Sequence, residues 1–552
     1  MYVDDYKYSV NGKPQRRALV RHNYRENGKV KQKTIANITG LPDHIIELIK
    51  IGLKSGEGFK YIEELSNGNF SHTKTIGSVF VLQKIINEIG ITKALGTDEN
   101  SKLISWLVMA RLLEQGSRLS SVRLAQIHAG CELLKIEELN EDLLYSSMDW
   151  LYEQKDKTEQ KLFKQWQQNK KNQHKNPHLF LYDVSSSYLE GEHNELAAWG
   201  YNRDKKAGKM QIVYGLLTDE HGEPLGVEVF EGNTVDIKTF ESQIIKIKEK
   251  FNCTRVTLVG DKGMIKSFQI NDLHKAGFNY ITSISKAEIE TLIKKETFQL
   301  ELFTDELIEI SDNGVRYVLH RNPVRAIEIQ KNRDSKIVKI KAKITNSNNY
   351  LKEHPKAKPE VQEKNIKNYI SRVNLSKAIE VFCDIKDRHL VIVINDEAIQ
   401  HLSRLDGCYV IKTDLLKSEI DTKTIHTRYK SLAEVEWAFR TEKSLLEIRP
   451  IYLRNRERTI AHVFICMLAY KVEKYLREYW KDIDLTVEEG IKMLGQIIGS
   501  KIKIGEKELV RLPNPNKSCN ELLNALNITM PSMISYKECV VNTKRKLPQR
   551  RK

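Results

Sequence analysis

Along this chain the period of the hydrophobic pattern changes several times, and each change predicts a different kind of element. Near the start, apolar and polar residues alternate in Tyr6-Lys7-Tyr8-Ser9-Val10 and in Val30-Lys31-Gln32-Lys33-Thr34-Ile35. A period of two puts alternate side chains on opposite faces, so both runs predict strands. Asn11-Gly12 directly after the first is a hairpin signal. Leu41-Pro42-Asp43 opens a helical stretch through Leu53, which makes residues 1–75 a small basic α+β module. From 76 to 176 the period is helical, as in Leu103-Ile104-Ser105-Trp106-Leu107-Val108-Met109-Ala110, and a polar stretch from Gln165 to Asn176 closes it. That segment reads equally as a DNA-binding helical domain or as a plain helical scaffold.

The pattern changes sharply at Pro177. His178 to Tyr182 reads as a buried strand, with Ser185 to Leu189 as its continuation or neighbour. Gly208 to Leu217 and Leu225 to Phe230 are two more strand-like runs around the turn His221-Gly222-Glu223-Pro224. A helix is expected from Val235 to Lys250, then a strand from Val256 to Gly260. Three strands, a helix and a further strand is the leading order of the RNase H-like fold, so we expect an α/β chain whose catalytic core begins at 177–289. In that fold the first and fourth strands lie side by side. Residues 290–395 do not continue it: Val315 to Leu319 is strand-like, Lys336 to Ile344 alternates base and aliphatic, and Lys352 to Pro359 breaks structure. They read as an inserted, basic, strand-rich subdomain. Core elements return over 396–480 with Leu390 to Ile394 and Gly407 to Ile411 leading in, and 481–552 is expected to be helical with a basic tail.

Composition sharpens this only in part. The 552 residues carry 89 Lys+Arg against 73 Asp+Glu, a net charge of +16. Residues 324–372 hold 13 bases against 5 acids, the first 40 hold 9 against 3, and the last ten hold six bases and no acid. Basic regions spread in this way suit a polyanion followed along an extended path, as well as a merely solvated basic surface. Seven cysteines, never closer than 20 positions, give neither a zinc knuckle nor a disulfide framework. No uncharged run reaches the length of a membrane span, and the first residues lack the order of a signal peptide, so a cytoplasmic protein is expected. Gly260 to Ser267 fails the spacing of a nucleotide-binding phosphate loop.

The chemistry concentrates in three carboxylates. Asp183 ends the run Leu179-Phe180-Leu181-Tyr182, Asp261 ends Val256-Thr257-Leu258-Val259-Gly260, and Glu436 lies in a long amphipathic helical pattern before Pro450. At ~100° per residue, Leu432, Glu436, Arg440 and Lys443 fall within an arc of about 80°, beside an apolar stripe of Leu432, Val435, Phe439 and Leu446. Ser431 and Glu434 could form a capping box that sets Tyr429 just before the first turn. Taken alone, this is an ordinary amphipathic helix with an i,i+4 Glu436–Arg440 pair. Asp406 in Asp406-Gly407 reads as a turn residue and His462 as a satisfied core or interface histidine. The Arg454/Arg456/Arg458 cluster suits DNA or solvent alike.

Tyr182-Asp183-Val184-Ser185-Ser186-Ser187, Val259-Gly260-Asp261-Lys262-Gly263-Met264, Leu405-Asp406-Gly407-Cys408-Tyr409 and the stretch Tyr429 to Lys443 occur together in that order. In this the chain resembles the insertion-sequence DDE transposases of bacteria, in the subgroup with the Y-x(2)-R-x(3)-E-x(6)-K (YREK) signature. Tyr429, Glu436 and Lys443 fall at its spacing, whereas Leu432 stands at its arginine position. The resemblance implies that Asp183, Asp261 and Glu436 are catalytic and bind two Mg²⁺ (or Mn²⁺) ions. It implies further that Tyr429 and Lys443 contact phosphates of double-stranded DNA at the element's terminal inverted repeats. Arg440, on the same helix flank, is our candidate for the missing guanidinium. Cleavage of those ends, strand transfer into target DNA, and a homodimeric synaptic complex in the bacterial cytoplasm, at the nucleoid, are what the family would lead one to expect. The rivals are an RNase H-like nuclease without strand transfer and a decayed or domesticated protein that only binds DNA.

Overall fold

The computed structural model describes residues 1–543 apart from 11–12, 27, 42, 55–70, 171–177, 192, 385–386, 505–506 and 536. The Asn11-Gly12 turn, Pro42, the boundary at Pro177 and the basic residues from Lys544 onward therefore lie outside the described residues. The chain divides into two compact units, Met1–Asn87 with Ser105–Leu144 and Tyr475–Lys552, and Glu88–Ile104 with Tyr145–Lys474.

In the first unit, Tyr2–Val10, Lys13–Glu26 and Lys29–Asn37 form an antiparallel three-stranded sheet. Ala18, Ile38 and Ile46 make its small core. A second sheet runs in the order Met533–Ser535, Lys507–Arg511, Ile498–Ile504, Ser71–Thr75. The region from 481, expected to be helical, thus supplies three of this sheet's strands as well as the helices Val487–Leu494 and Lys517–Ala525. Ile498-Gly499-Ser500-Lys501-Ile502-Lys503-Ile504 ends in strict alternation, and that period of two prevails.

The second unit is built on one eight-stranded sheet. Its strands are β1 (His178–Tyr188), β2 (Gln211–Asp219), β3 (Pro224–Glu231), β4 (Val256–Gly260), β5 (Asn279–Ser283), β6 (Ile308–Asp312), β7 (Val315–Arg321) and, beyond an excursion described below, β10 (Cys408–Thr413). The spatial order is β6-β7-β10-β5-β4-β1-β2-β3. β1 through β3 form an antiparallel meander, and helix α1 (Asp236–Ile245) then carries the chain across to β4, which lies parallel to β1. Strands β2 and β4 are buried along their whole length, which is why each reads as a nearly unbroken apolar run. One face of the sheet packs Phe180, Tyr182, Val184 and Val213 against Phe240, Ile244 and Ile247 of the α1 region. Gly215 on β2 has no side chain because the Tyr182 ring lies across it; a Cβ there would stand 2.0 Å from the Tyr182 hydroxyl.

After β7 the chain leaves the sheet. Helices α2 (Ser267–Ala276) and α3 (Lys286–Lys294) flank β5, and α4 (Pro323–Glu353) and α5 (Pro359–Arg372) follow β7. Then come the hairpin β8 (Ile379–Asp384) and β9 (His389–Ile394) and helix α6 (Asp396–Ser403), before β10 returns to the sheet. This segment has its own core of Ile340, Ile344, Ile366, Ile370, Ile379, Val381 and Leu390. The expectation of a strand-rich segment is corrected here. Lys336 to Ile344 belongs to a 31-residue helix in which Ile340, Ile344 and Leu351 are buried. Their helical spacing over the longer window outweighs the short local alternation. Pro323 and Pro359 sit in the first turns of α4 and α5, where the missing N–H costs nothing.

Helices α7 (Thr422–Lys430) and α8 (Leu432–Ser444) follow β10. A helix opening at Ser431 with a capping box, and Tyr429 just before its first turn, was expected; the helix does begin at Leu432, but the cap is absent and Tyr429 lies inside a helix of its own. Ser431 makes no cap; its hydroxyl donates back to the Thr427 carbonyl at 3.3 Å, so the chain breaks there into two helices. Among the described residues no helix is long and apolar enough to cross a membrane.

Candidate active site

The pairing registers bring the first two acids together where the β1–β4 pairing ends: Asp183 lies midway along β1 and Asp261 directly follows β4. β1 and β4 pair in parallel with Leu181 opposite Val259. Carried two residues further, that register sets Asp183 beside Asp261. β4 pairs with β5 with Thr282 opposite Gly260, so Ser283 falls beside Asp261 on the other side. Asp183, Asp261 and Ser283 thus form one row across three adjacent strands. Helix α8 packs on β1, and the Phe439 ring meets Tyr214 of β2 edge-on at 5.4 Å, which fixes the face that carries Glu436. Glu436 itself is exposed.

The electrostatics tie the three acids together. Burial pushes the Asp183 carboxyl up to about 7, and the negative charges of Asp261 and Glu436 push the same way. The Val184 N–H, which donates to Asp183 Oδ1 at 2.8 Å, and the Arg203 guanidinium oppose the shift. Asp261 Oδ1 accepts from the Lys262 N–H at 2.7 Å, while its carbonyl accepts from the N–H groups of Met264 and Ile265, which holds the loop in a tight turn. An oxygen-only set of three acids, one driven toward the neutral form by its surroundings, is an arrangement that a hard divalent cation relieves.

Tyr429 lies in the last turn of α7 with its hydroxyl donating to Ser283 Oγ at 2.7 Å. Burial raises its pKa, and the charges of Asp261, Glu436 and Asp183 add to the rise, so the phenol stands among the three acids. Lys443 points elsewhere than at open solvent: its Nζ donates to Asp204 Oδ1 at 2.8 Å. Burial lowers its pKa and Asp204 opposes that change. Arg440 is exposed, with its guanidinium 5.5 Å from the centre of the Trp437 ring. Leu432 is half-buried in the first turn of α8.

The structure adds residues that sequence reasoning passed over, two in the connection between β1 and β2 and one on α8. The Asp204 carboxylate, 1% exposed, accepts from Lys443, from Arg449 Nη1 and from the Tyr188 N–H. Arg203, one residue earlier, bonds through Nη2 to Asp236 at the start of α1. Glu442 on α8 is fully buried facing the Tyr214 hydroxyl, and burial pushes its carboxyl up to about 8. The signal in the sequence was the density of charge in Asn202-Arg203-Asp204-Lys205-Lys206, which reads as a solvated loop.

Among the described residues, the groups that gather potential ligand atoms within 4.8 Å of one another are Asp384, Asp387 and His389, and Asp156, Glu159 and Glu228; Asp183, Asp261 and Glu436 stand further apart than that. In the second, lysines already take a cation's place. Lys246 pairs with Glu159 and Glu228, Lys155 with the same two acids, and Lys250 with Asp156. Of the remaining residues raised by the sequence, Asp406 is buried and paired with Arg333, His462 is buried with Nε2 3.1 Å from the Ile448 carbonyl oxygen, and Arg458 forms two 2.8 Å bonds to Asp149.

Residues 159–471 match the family model of a transposase DDE domain. Residues 7–59 match that of the N-terminal domain of IS1634 family transposases. No curated protein matches the chain. A solved structure that aligns with it is a piggyBac transposase synaptic complex with hairpin DNA, determined by cryo-EM. The identity is 8%, the alignment covers 78% of this chain and 82% of that one, and the TM-score is 0.37, too distant to carry argument.

Proposed function

The chain belongs to the DDE transposases of insertion sequences, and we propose that Asp183, Asp261 and Glu436 are the acids with which it cuts element ends and joins them to target DNA. A transposase of this kind is a divalent-metal-dependent polynucleotidyl transferase acting on DNA. The finer reading concerns architecture, metal and contacts. We take β1 to β5 with β10, α7 and α8 as an RNase H-like core, and 290–395 as an insertion between its second and third acids. The meander, the parallel β1–β4 pair and the excursion after β7 support this. The domain limits at 75, 176, 289, 395 and 480 belong to the same reading.

The observation that carries the proposal is the β1–β4 register that sets Asp183 beside Asp261, together with the pull of Glu436 on the Asp183 carboxyl. These three carboxylates would hold two Mg²⁺ or Mn²⁺ ions. When bound, the metal polarises the scissile phosphodiester and lowers the pKa of a water or of a DNA 3′-hydroxyl. The protein's own part is to hold that phosphate. Tyr429, steadied by Ser283, offers a hydroxyl next to the acids, and Arg440 lies one turn beyond Glu436 on α8. Lys443 reaches a phosphate by exchanging its bond to Asp204. Tyr429, Glu436 and Lys443 at YREK spacing support the subgroup assignment, and Leu432 is its departure. A homodimeric synaptic complex on two ends completes the reading.

The test uses duplex oligonucleotides taken from the sequence flanking the reading frame, with Mg²⁺. Wild-type protein is expected to cleave them and join pre-cut ends to a plasmid, and Asp183→Asn, Asp261→Asn and Glu436→Gln to abolish both. Cleavage without joining would make the chain a nuclease. Full activity of the three variants would end the proposal.

A further inference from the structure

We propose that Arg203 is a phosphate-binding residue of this site, held toward the catalytic carboxylates by Asp236. The inference rests on the reading of Asp183 and Asp261 as the reacting centre. Arg203 lies in the connection between β1 and β2, and its backbone N–H donates to Ser186 Oγ at 3.1 Å, three residues beyond Asp183 on β1. Its side chain turns to the first residue of α1, where Nη2 bonds Asp236 Oδ1. Asp236 borders the second acid as well, because its Oδ2 lies 3.9 Å from where a Cβ of Gly263 would stand, in the turn that follows Asp261. Arg203 is therefore tied at its backbone to the strand of the first acid. At its guanidinium it is tied to a carboxylate that borders the loop of the second.

The Arg203 guanidinium also keeps donors to spare. Only one of its nitrogens that can donate is engaged: among the described residues Nε and Nη1 make no hydrogen bond, and the side chain keeps 23% of its exposure. The guanidinium carbon also lies over the exposed Tyr201 ring, 5.9 Å from its centre, a cation–π contact that uses none of its N–H groups. A planar donor with a free edge, oriented by an anion on its opposite edge, is the form in which a guanidinium receives a phosphate oxygen. Attack on the phosphodiester, already an anion, builds further negative charge on its non-bridging oxygens, and such a donor favours that because its geometry is set in advance.

The experiment measures affinity rather than turnover. Duplex ends are bound in Ca²⁺, with either the natural phosphate or a neutral methylphosphonate placed in turn at the scissile position and its two neighbours. Arg203→Ala is expected to weaken the natural duplex about tenfold, the scale of one hydrogen bond to a charged group. At one methylphosphonate position Arg203→Ala and wild type should bind alike. Arg203→Lys, which can keep the Asp236 pair but not the planar edge, should fall between them and serves if the alanine variant fails to fold. Equal affinities of Arg203→Ala and wild type for the natural duplex, or the same loss at every methylphosphonate position, would overturn the proposal. Asp183→Asn separates the two readings. If it cleaves like wild type, the catalytic assignment fails while the binding result on Arg203 still stands or falls by itself.

Discussion

Glu442 makes the protein's stability depend on pH in a direction opposite to that of ordinary acids. It sits on α8, less than two turns from Glu436, fully buried facing the Tyr214 hydroxyl, and burial lifts its pKa to about 8 from 4.5 against the smaller opposing pull of Tyr214 and Lys443. Between those values the folded chain binds a proton that the unfolded chain has lost. The stabilisation is therefore complete below about pH 4.5 and disappears as pH rises through about 8. At 1.36 kcal/mol per unit the full swing is at most about 5 kcal/mol. Asp183, raised to about 7 from 3.8, adds a swing of the same sign when no metal is bound. Glu442→Gln keeps the shape of the side chain and removes its titration. Urea or thermal unfolding from pH 5 to pH 9, in EDTA, should show wild type losing stability with rising pH and Glu442→Gln losing markedly less. At pH 9 the variant should be the more stable protein. Parallel pH profiles for the two would refute the reasoning, because they would mean that the buried carboxyl is already ionised or is reached by water.

Two other perturbations follow from buried charge. Lys246 is 2% exposed between Glu159 and Glu228, and Lys246→Ala leaves Glu159 buried beside a single remaining lysine; a loss of about 3–5 kcal/mol in chemical unfolding is expected. A wild-type midpoint in that variant would show the network to be dispensable. Asp204→Ala frees Lys443 and Arg449 from their shared carboxylate, at an expected cost of about 3 kcal/mol in unfolding free energy; an unchanged midpoint would sink it.

What could be read from the chain and what could not divide along physical lines. The two aspartates were legible because β1 and β4 are interior strands, whose apolar runs are continuous and end abruptly at the first carboxylate. Glu436 was legible through helical phase alone, since α8 has a buried stripe of Val435, Ala438 and Phe439. The missing cap at Ser431 was hidden because a serine before an apolar run signals a cap whether its hydroxyl turns forward or, as here, back to Thr427. The helices of residues 323–372 were hidden because lysines interleaved with aliphatics satisfy a strand pattern over five residues and a helical one over fifteen. Asp204 and Arg203 were out of reach for a different reason. Their partners are remote in sequence, as in the pairing of Asp204 with Lys443, and no local period encodes such a pair.

That last class of residue decides how the site can work on a polyanion. Several cations of this region are already bonded to carboxylates: Lys443 and Arg449 to Asp204, Arg203 to Asp236. The local field is thus closer to neutral than the chain's net charge of +16 would suggest. A DNA phosphate arriving there exchanges one anionic partner for another, so it gains geometry more than raw attraction. Long-range attraction must then come from exposed bases elsewhere, of which α4 carries many, including Lys331, Lys336, Lys339, Lys341 and Lys343. Binding and positioning accordingly fall to different parts of the chain. Salt should act chiefly on the first, and substitutions at Asp204 and Asp236 chiefly on the second.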